Sequence, residues 1–399
     1  MTRNLRRLVA VNLGALLLAV SGSSAYAATH HYVVTNDDNP SANSVSVFEV
    51  TGPVLTHVTT VLTGGTALGG GYFAQVDQSI AQDASNTCVF AGDAASGDIA
   101  AMKVISASPY LQVVSDYLSP DGDSGANIGL GIAISGGYLY ANYTATPSIG
   151  VWKIGTGCTL SFVTHLTGTS GINGGAIDGM TVTPNGNYLI VGYGDGSIGS
   201  YAIGGGSISL IGQEIIAGNS VGGGAYAGSA IVSANGNWAI FGDFSGSNTT
   251  QLDVAAIGSN GVLAPTTTYG GTGSLGSGID SNGIQLSPDN RFIYVVDSLS
   301  GQETTVAFNA TTGVISYPHA CLTNLNGYNT NWVFASQVAA VTTTGAGGGL
   351  YISEGFLTSD SYIALLQVNP TTGCATEVPG SPFPDTAWEG LESISAYSH

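Results

Sequence analysis

Residues 281–316, SNGIQLSPDNRFIYVVDSLSGQETTVAFNATTGVIS, form one unit of a repeat, and that repeat limits the chain to very few folds. Ile284, Leu286 and then Phe292 to Val296 are apolar, β-branched or aromatic, with Pro288-Asp289-Asn290 as a tight turn between them. Ser298 to Gly301 is a second turn, Thr304 to Phe308 a third strand, and Thr311-Thr312-Gly313 leads to the start of a fourth at Val314-Ile315. Four antiparallel strands in about fifty residues cannot cover both of their faces, so the unit has to stack on copies of itself.

The copies are present. The second strand recurs seven times, as Tyr32-Val33-Val34, Cys88-Val89-Phe90, Tyr138-Leu139-Tyr140, Tyr188-Leu189-Ile190, Trp238-Ala239-Ile240, Phe292-Ile293-Tyr294 and Leu350-Tyr351-Ile352. The inner strand also recurs seven times, at 80–84, 132–135, 180–184, 230–234, 284–288, 338–342 and 391–395. The last inner strand has no second strand after it, and the first second strand has no inner strand before it. Joining the two closes a ring and removes the free sheet edges that invite aggregation.

Tyr32-Val33-Val34-Thr35-Asn36, the run Leu286-Ser287-Pro288-Asp289-Asn290-Arg291-Phe292-Ile293-Tyr294-Val295, and Asn369-Pro370-Thr371-Thr372-Gly373 resemble the lactonase-type seven-bladed propellers. That group includes Tyr-Val-Thr-Asn-repeat surface proteins and 6-phosphogluconolactonase-like enzymes. The resemblance covers residues 30–399. With the repeat, it gives the expected fold: an all-β, seven-bladed propeller of four-stranded antiparallel blades, closed by the C-terminal strand in the N-terminal blade. These are scaffold motifs and carry little about chemistry.

The first 27 residues read as a secretory signal, with Arg3, Arg6 and Arg7 before the apolar run Leu8 to Val20 and a small-residue cleavage site at Ala25-Tyr26-Ala27. The apolar run is too short for a membrane span, and no later segment is suited to cross a bilayer. Residues 28–399 are then one exported propeller domain, periplasmic or extracellular. Its 60 glycines and 8% charged residues fit short strands joined by Gly, Ser, Thr and Asn turns. Losing the leader removes half of the six basic residues and no acidic one, leaving Lys103, Lys153 and Arg291 against 25 Asp and Glu, a net charge of −22 with His neutral. Nucleic acid and anionic lipid are therefore excluded as partners. A neutral small molecule, a glycan or a protein at the channel mouth remains, for a monomeric propeller. Four cysteines, Cys88, Cys158, Cys321 and Cys374, allow two disulfides in three connectivities or four free buried thiols; among the bridges Cys88 with Cys158, on the same face of neighbouring blades, is the favoured pair.

The residues ending the second strands are Asn36, Asp93, Asn142, Tyr193, Asp243, Asp297 and Glu354. They read either as a ring of ligands or as acceptors for backbone N–H groups in the following turns, and their repetition favours the second reading. Acidic and amide residues outside the repeat are more informative. Asp178, Asp280 and Asn282, with Glu389 and Glu392 at the last inner strand, enter the channel mouth from three blade junctions. Such hard oxygen donors suit Ca²⁺ or another divalent cation, and equally read as solvated loop carboxylates. The loop Asp121 to Asn127 resembles half of a calcium loop but has Ala126 and Ile132 where an EF-hand needs Gly and Glu, so it reads as a polar loop. Two G-x-G-x-x-G runs, at 194–199 and 271–276, open no helix, and no nucleotide cofactor is expected. His57, His165 and His319 fall on outermost strands and read as surface residues. The resemblance implies anionic substrates held by channel Arg and His. Arg291, the only arginine after the leader, sits in a turn on the opposite face. A binding or interaction scaffold is therefore the expected function, with a metal-dependent hydrolase of a neutral lactone as the alternative.

Overall fold

The computed structural model describes residues 31–68, 79–125, 130–216, 226–244, 250–270, 281–297, 301–316, 321–326, 333–341, 349–356, 361–385 and 393–398. The proposed leader, Asp280, Glu389, Glu392, His319 and the second glycine-rich run lie outside these residues. Among the described residues no helix is long and apolar enough to cross a membrane.

The first blade holds β1 (His31–Asn36), β2 (Ser44–Thr51) and β3 (Val54–Leu62). The second holds β4 (Ile80–Gln82), β5 (Cys88–Asp93), β6 (Asp98–Val104) and β7 (Leu111–Leu118), and the third β8 (Leu130–Ser135), β9 (Tyr138–Tyr143), β10 (Ser148–Ile154) and β11 (Leu160–Thr167). The fourth holds β12 (Ile177–Val182), β13 (Tyr188–Tyr193), β14 (Ser197–Gly204) and β15 (Ser207–Ile215), and the fifth β16 (Tyr226–Val232), β17 (Trp238–Phe244), β18 (Thr250–Ala256) and β19 (Thr267–Gly270). The sixth consists of β20 (Ser281–Leu286), β21 (Phe292–Asp297), β22 (Gln302–Asn309), β23 (Val314–Ser316) and β24 (Leu322–Asn324). The seventh consists of β25 (Val333–Val341), β26 (Gly349–Phe356), β27 (Ser361–Val368), β28 (Ala375–Glu377) and β29 (Phe383–Asp385). The chain returns to the first blade with β30 (Ser393–Ser398), giving the sheet order β3-β2-β1-β30.

All seven expected second strands are found in that position, and the C-terminal strand closes the ring as expected. β30 pairs antiparallel with β1 from His31–Ser398 to Asn36–Ser393, two residues later in the chain than the apolar pattern alone places it. The inner strands β4, β8, β12, β16, β20, β25 and β30 each touch the next, and β30 touches β4. In the last two blades the outermost position is divided: β23 and β24 both pair β22, and β28 and β29 both pair β27. For β28 and β29 the reason is on the chain, since Pro379 and Pro382 lack the N–H that a continuous ladder needs. Ser381 Oγ fills the gap by accepting from Leu365 N at 3.0 Å.

Burial follows position in the blade. Every residue of β5 is buried, because both faces of a second strand meet neighbouring blades, whereas β7 at the rim is mostly exposed. Between the second and third blades Phe90, Leu130, Ile132, Leu139, Tyr143 and Trp152 pack in one cluster. Each such aliphatic or aromatic side chain contributes about 1.5–3 kcal/mol by leaving water. The sheets approach closely at Gly92 and Gly192. A Cβ on Gly92 would stand 2.5 Å from Leu130 O, and one on Gly192 would stand 2.4 Å from Ala227 O, each in the next blade.

Two disulfides also cross blade interfaces. Cys88 joins Cys158, the favoured pair, across the second and third blades, with Cα atoms 5.5 Å apart. Cys321 joins Cys374 across the sixth and seventh, with Cα atoms 5.0 Å apart, and Cys321 stands just ahead of β24. They close segments of 70 and 53 residues. In the chain-entropy view each loop of that size stabilises the fold by about 4 kcal/mol. Guanidinium unfolding of Cys158→Ser and Cys374→Ser is expected to show a loss of that order for each. A loss below about 1 kcal/mol for both would place the bridges outside the stability of the fold.

Candidate functional site

The second-to-third-strand hairpins and the loops that enter the inner strands share one face of the propeller, here called the acidic face. Residues that end the second strands lie there, and Asn36 and Asn142 reach past their own turns to the next blade. Asn36 Nδ2 donates to Gly92 O and to Ser79 Oγ of the next blade, both at 2.9 Å. Asn142 Nδ2 donates to Ile177 O of the next blade at 3.0 Å. Tyr193 and Tyr201 bond through their hydroxyls at 2.6 Å, buried within one blade. The two asparagines satisfy buried backbone carbonyls that would otherwise cost about 1–3 kcal/mol each, and they link blade to blade. The side chains of Asp297 and Glu354 are outside the described set.

Of the mouth residues expected to hold a ligand, Asp178 is the second residue of β12 and is buried, and Asn282 is the second residue of β20. Asp280, Glu389 and Glu392 lie outside the described residues. The first glycine run lies in the β13–β14 hairpin, as its strand context requires. There Asp195 accepts from Ser197 Oγ at 2.5 Å, Asn173 N at 2.7 Å and Gly175 N at 3.1 Å. Burial alone would raise its pKa, but these bonds outweigh it and hold Asp195 below the usual carboxylate range.

His165 is more engaged than a surface residue. Its Nδ1 lies 3.1 Å from Asp123 Oδ2, and its Nε2 lies 3.7 Å from Asp121 Oδ2. Asp123 also accepts from Ser119 Oγ and Ser148 Oγ, both at 2.6 Å. Burial opposes ionisation of Asp123, but these hydrogen bonds prevail and lower its pKa. A carboxylate sits at the centre, and both serines donate to it rather than to the imidazole. The group therefore activates no nucleophile and serves as a polar clamp.

A second acidic group was not legible as one from the sequence. Asp93 ends β5 and Asp98 begins β6 directly opposite it, while Asp116 lies on β7. Asp98 pairs with Leu118 and Ala100 with Asp116, so Asp98 and Asp116 are diagonal neighbours on one sheet face. One oxygen from each of the three carboxylates lies within 4.8 Å of the others, so the group could hold a metal ion. Asp93 and Asp98 are buried and Asp116 is exposed. Asp93 Oδ1 accepts from Asn43 Nδ2 at 2.6 Å and Thr63 Oγ1 at 2.8 Å, both in the first blade. Burial, with the charges of Asp98 and Asp116, pushes the Asp93 carboxyl up to about 7 despite those two bonds. Burial and then Asp98 also raise Asp116. The available signal was the hairpin register: two aspartates five apart, closing a second-to-third-strand turn, must face each other.

The basic residues are on the other face. Lys103 pairs with Cys88 at the start of β5, and Lys153 with Tyr138 at the start of β9. Arg291 lies in the β20–β21 turn, as expected. It bonds Asp289 Oδ2 at 2.6 Å and Pro370 O at 2.6 Å, with its guanidinium 5.0 Å from the Phe292 ring centre.

No family model matches the chain, and no curated protein sequence matches it. Solved structures do. A candidate 6-phosphogluconolactonase from Bacteroides fragilis superposes with a TM-score of 0.66 at 15% identity, over 92% of this chain and 98% of that one. The periplasmic gluconolactonase PpgL of Pseudomonas aeruginosa gives 0.56 at 16% identity, over 72% and 80%. Apo AztD from Citrobacter koseri gives 0.56 at 11% identity, over 93% and 98%. At these identities the likeness concerns architecture alone: the chain has the seven-bladed propeller fold that lactonase-like proteins also use.

Proposed function

We propose that this protein is an exported propeller that binds a cationic or neutral partner on its acidic face and does not hydrolyse anionic lactones. The separation of charge carries this reading. Lys103, Lys153 and Arg291 are the only basic residues after the leader, and all three lie at the face opposite Asp93, Asp98, Asp123, Asp178 and Asp195. A phosphorylated or carboxylated substrate approaching the acidic face meets repulsion and no guanidinium. The mouth residues Asp178, Asp280, Asn282, Glu389 and Glu392 are the contacts we assign to the partner, with a divalent cation such as Ca²⁺ as one occupant. The structurally similar Pseudomonas protein is a periplasmic gluconolactonase. Its setting supports an exported propeller, and its activity keeps one enzymatic alternative for this chain, a metal-assisted hydrolase of a neutral lactone.

The mature protein is expected to hydrolyse 6-phosphogluconolactone no faster than buffer does. Arg291→Ala is expected to lower thermal stability through the lost contacts to Asp289 and Pro370. Efficient turnover that disappears in Arg291→Ala would overturn the reading. Turnover of a neutral lactone that needs added metal would replace the scaffold by the hydrolase.

A further inference from the structure

We propose that Asp93, Asp98 and Asp116 form a calcium site that ties the second blade to the first. The three carboxylate oxygens lie within 4.8 Å of one another. An ion at the centre of three oxygens that far apart stands at most about 2.8 Å from each, so a shift of a few tenths of an ångström brings all three to the Ca–O distance of about 2.3–2.6 Å.

A second observation is independent of the clustering. Asp93 Oδ2 and Asp98 Oδ1 are buried and have no hydrogen-bond partner among the described residues. Buried carboxylate oxygens are costly without a partner. The other oxygen of Asp93 is fixed by Asn43 and Thr63, which leaves Oδ2 as the oxygen that can meet an ion. Ligands held this way by neighbouring donors are typical of built metal sites.

The chain leaving β3 is shaped to the group. A Cβ on Gly65 would stand 2.5 Å from Asp93 Oδ2, and one on Gly64 would stand 2.1 Å from Asp116 Oδ2. Only glycine lets this backbone lie against both carboxylates, and Gly64 has a φ of +106°, which also favours glycine. No basic residue is near, since Lys103 occupies the far end of β6. An all-oxygen, carboxylate-rich set selects a hard cation over zinc, which prefers nitrogen and sulfur. The exposed side at Asp116 admits the water ligands that complete a coordination number of six to eight. Asn43, Thr63 and Gly65 belong to the first blade and the carboxylates to the second, so the ion couples the two. This site is separate from the mouth residues, and its test does not depend on them.

The mature protein, freed of metal with chelator, is titrated with CaCl₂ by calorimetry and melted with chelator or with millimolar calcium. Wild type is expected to bind one calcium ion at this site and to melt about 3 °C higher at a hundredfold excess over its dissociation constant. Asp98→Asn is expected to lose both effects while melting in chelator at or above wild type, because it removes one like charge; that shows the loss is not misfolding. Glu214→Gln, exposed on β15 of the fourth blade and outside both acidic groups, is expected to keep both. Absence of calcium binding by wild type, binding that survives in Asp98→Asn, binding lost equally in Glu214→Gln, or a response to Mg²⁺ or Mn²⁺ without one to Ca²⁺ would each overturn the assignment.

Discussion

Deletion of residues 393–399 is expected to unfold the protein under conditions in which the full chain is folded. β30 is the inner strand of the first blade, and its six-residue register with β1 joins the two ends of the chain within one sheet. Among the described residues no other pairing joins the two ends. Its loss removes Ile394 from a cluster with Val33, Phe48, Ile363 and Leu365. It also removes Ser393 Oγ, which accepts from Ile80 N at 3.2 Å, and Ala396 O, which accepts from Gln82 Nε2. Burial of Ile394 contributes about 2 kcal/mol and each ladder hydrogen bond about 1 kcal/mol net. The sum approaches the 5–15 kcal/mol that holds a typical domain together. The exposed edge of β1 would then offer a template for association. Circular dichroism, melting and light scattering of the truncated chain check this. A monomer with an unchanged melting temperature would mean that the ring closes some other way.

This closure was legible in the sequence because it depends on counting. Seven inner and seven second strands, with one unpartnered at each end, leave a single economical arrangement. The acidic site was less legible, for a physical reason. Strand-end residues such as Asn36 and Asp93 look alike in the repeat, yet their roles are set by what the next blade or the preceding loop presents. Asn36 meets Gly92 O, whereas Asp93 meets Asn43 and Thr63 on one oxygen and two further carboxylates on the other side. Contacts between blades join residues tens of positions apart, and the apolar pattern that reveals strands holds no record of them. His165 shows the same limit: its outer-strand position is plain in the sequence, and its bonds to Asp121 and Asp123 are not.

In chelator, stability is expected to fall as pH rises from 5 to 9, opposite to a protein whose carboxylates are paired with cations. Asp253 on β18 is fully buried, and burial together with the charge of Asp243 pushes it up to about 9, although Thr268 Oγ1 donates to it at 2.5 Å. Asp37 is likewise held well above the usual range by burial and by Asp385 beside it, against bonds from Ser44, Thr35 and Ser46. In the unfolded chain both ionise near pH 4. Between that value and the folded one the native state carries the extra proton, so each group's contribution is complete at acid pH and is lost as pH rises. For Asp253 the slope of about 1.4 kcal/mol per unit gives a loss of about 5 kcal/mol between pH 5 and 9. Asp83, Asp123, Asp195 and Asp289, whose pKa values are lowered, act in the other direction and weaken the fold only below about pH 4. The optimum is therefore expected near pH 5. Asp253→Asn retains an acceptor for Thr268 and removes the titration, so its melting curve should be flatter over this range and lie above wild type at pH 9. A wild-type melting temperature that is level or rising from pH 5 to 9, or an Asp253→Asn variant with the wild-type slope, would show that these carboxylates are ionised in the folded protein and compensated by something other than protons.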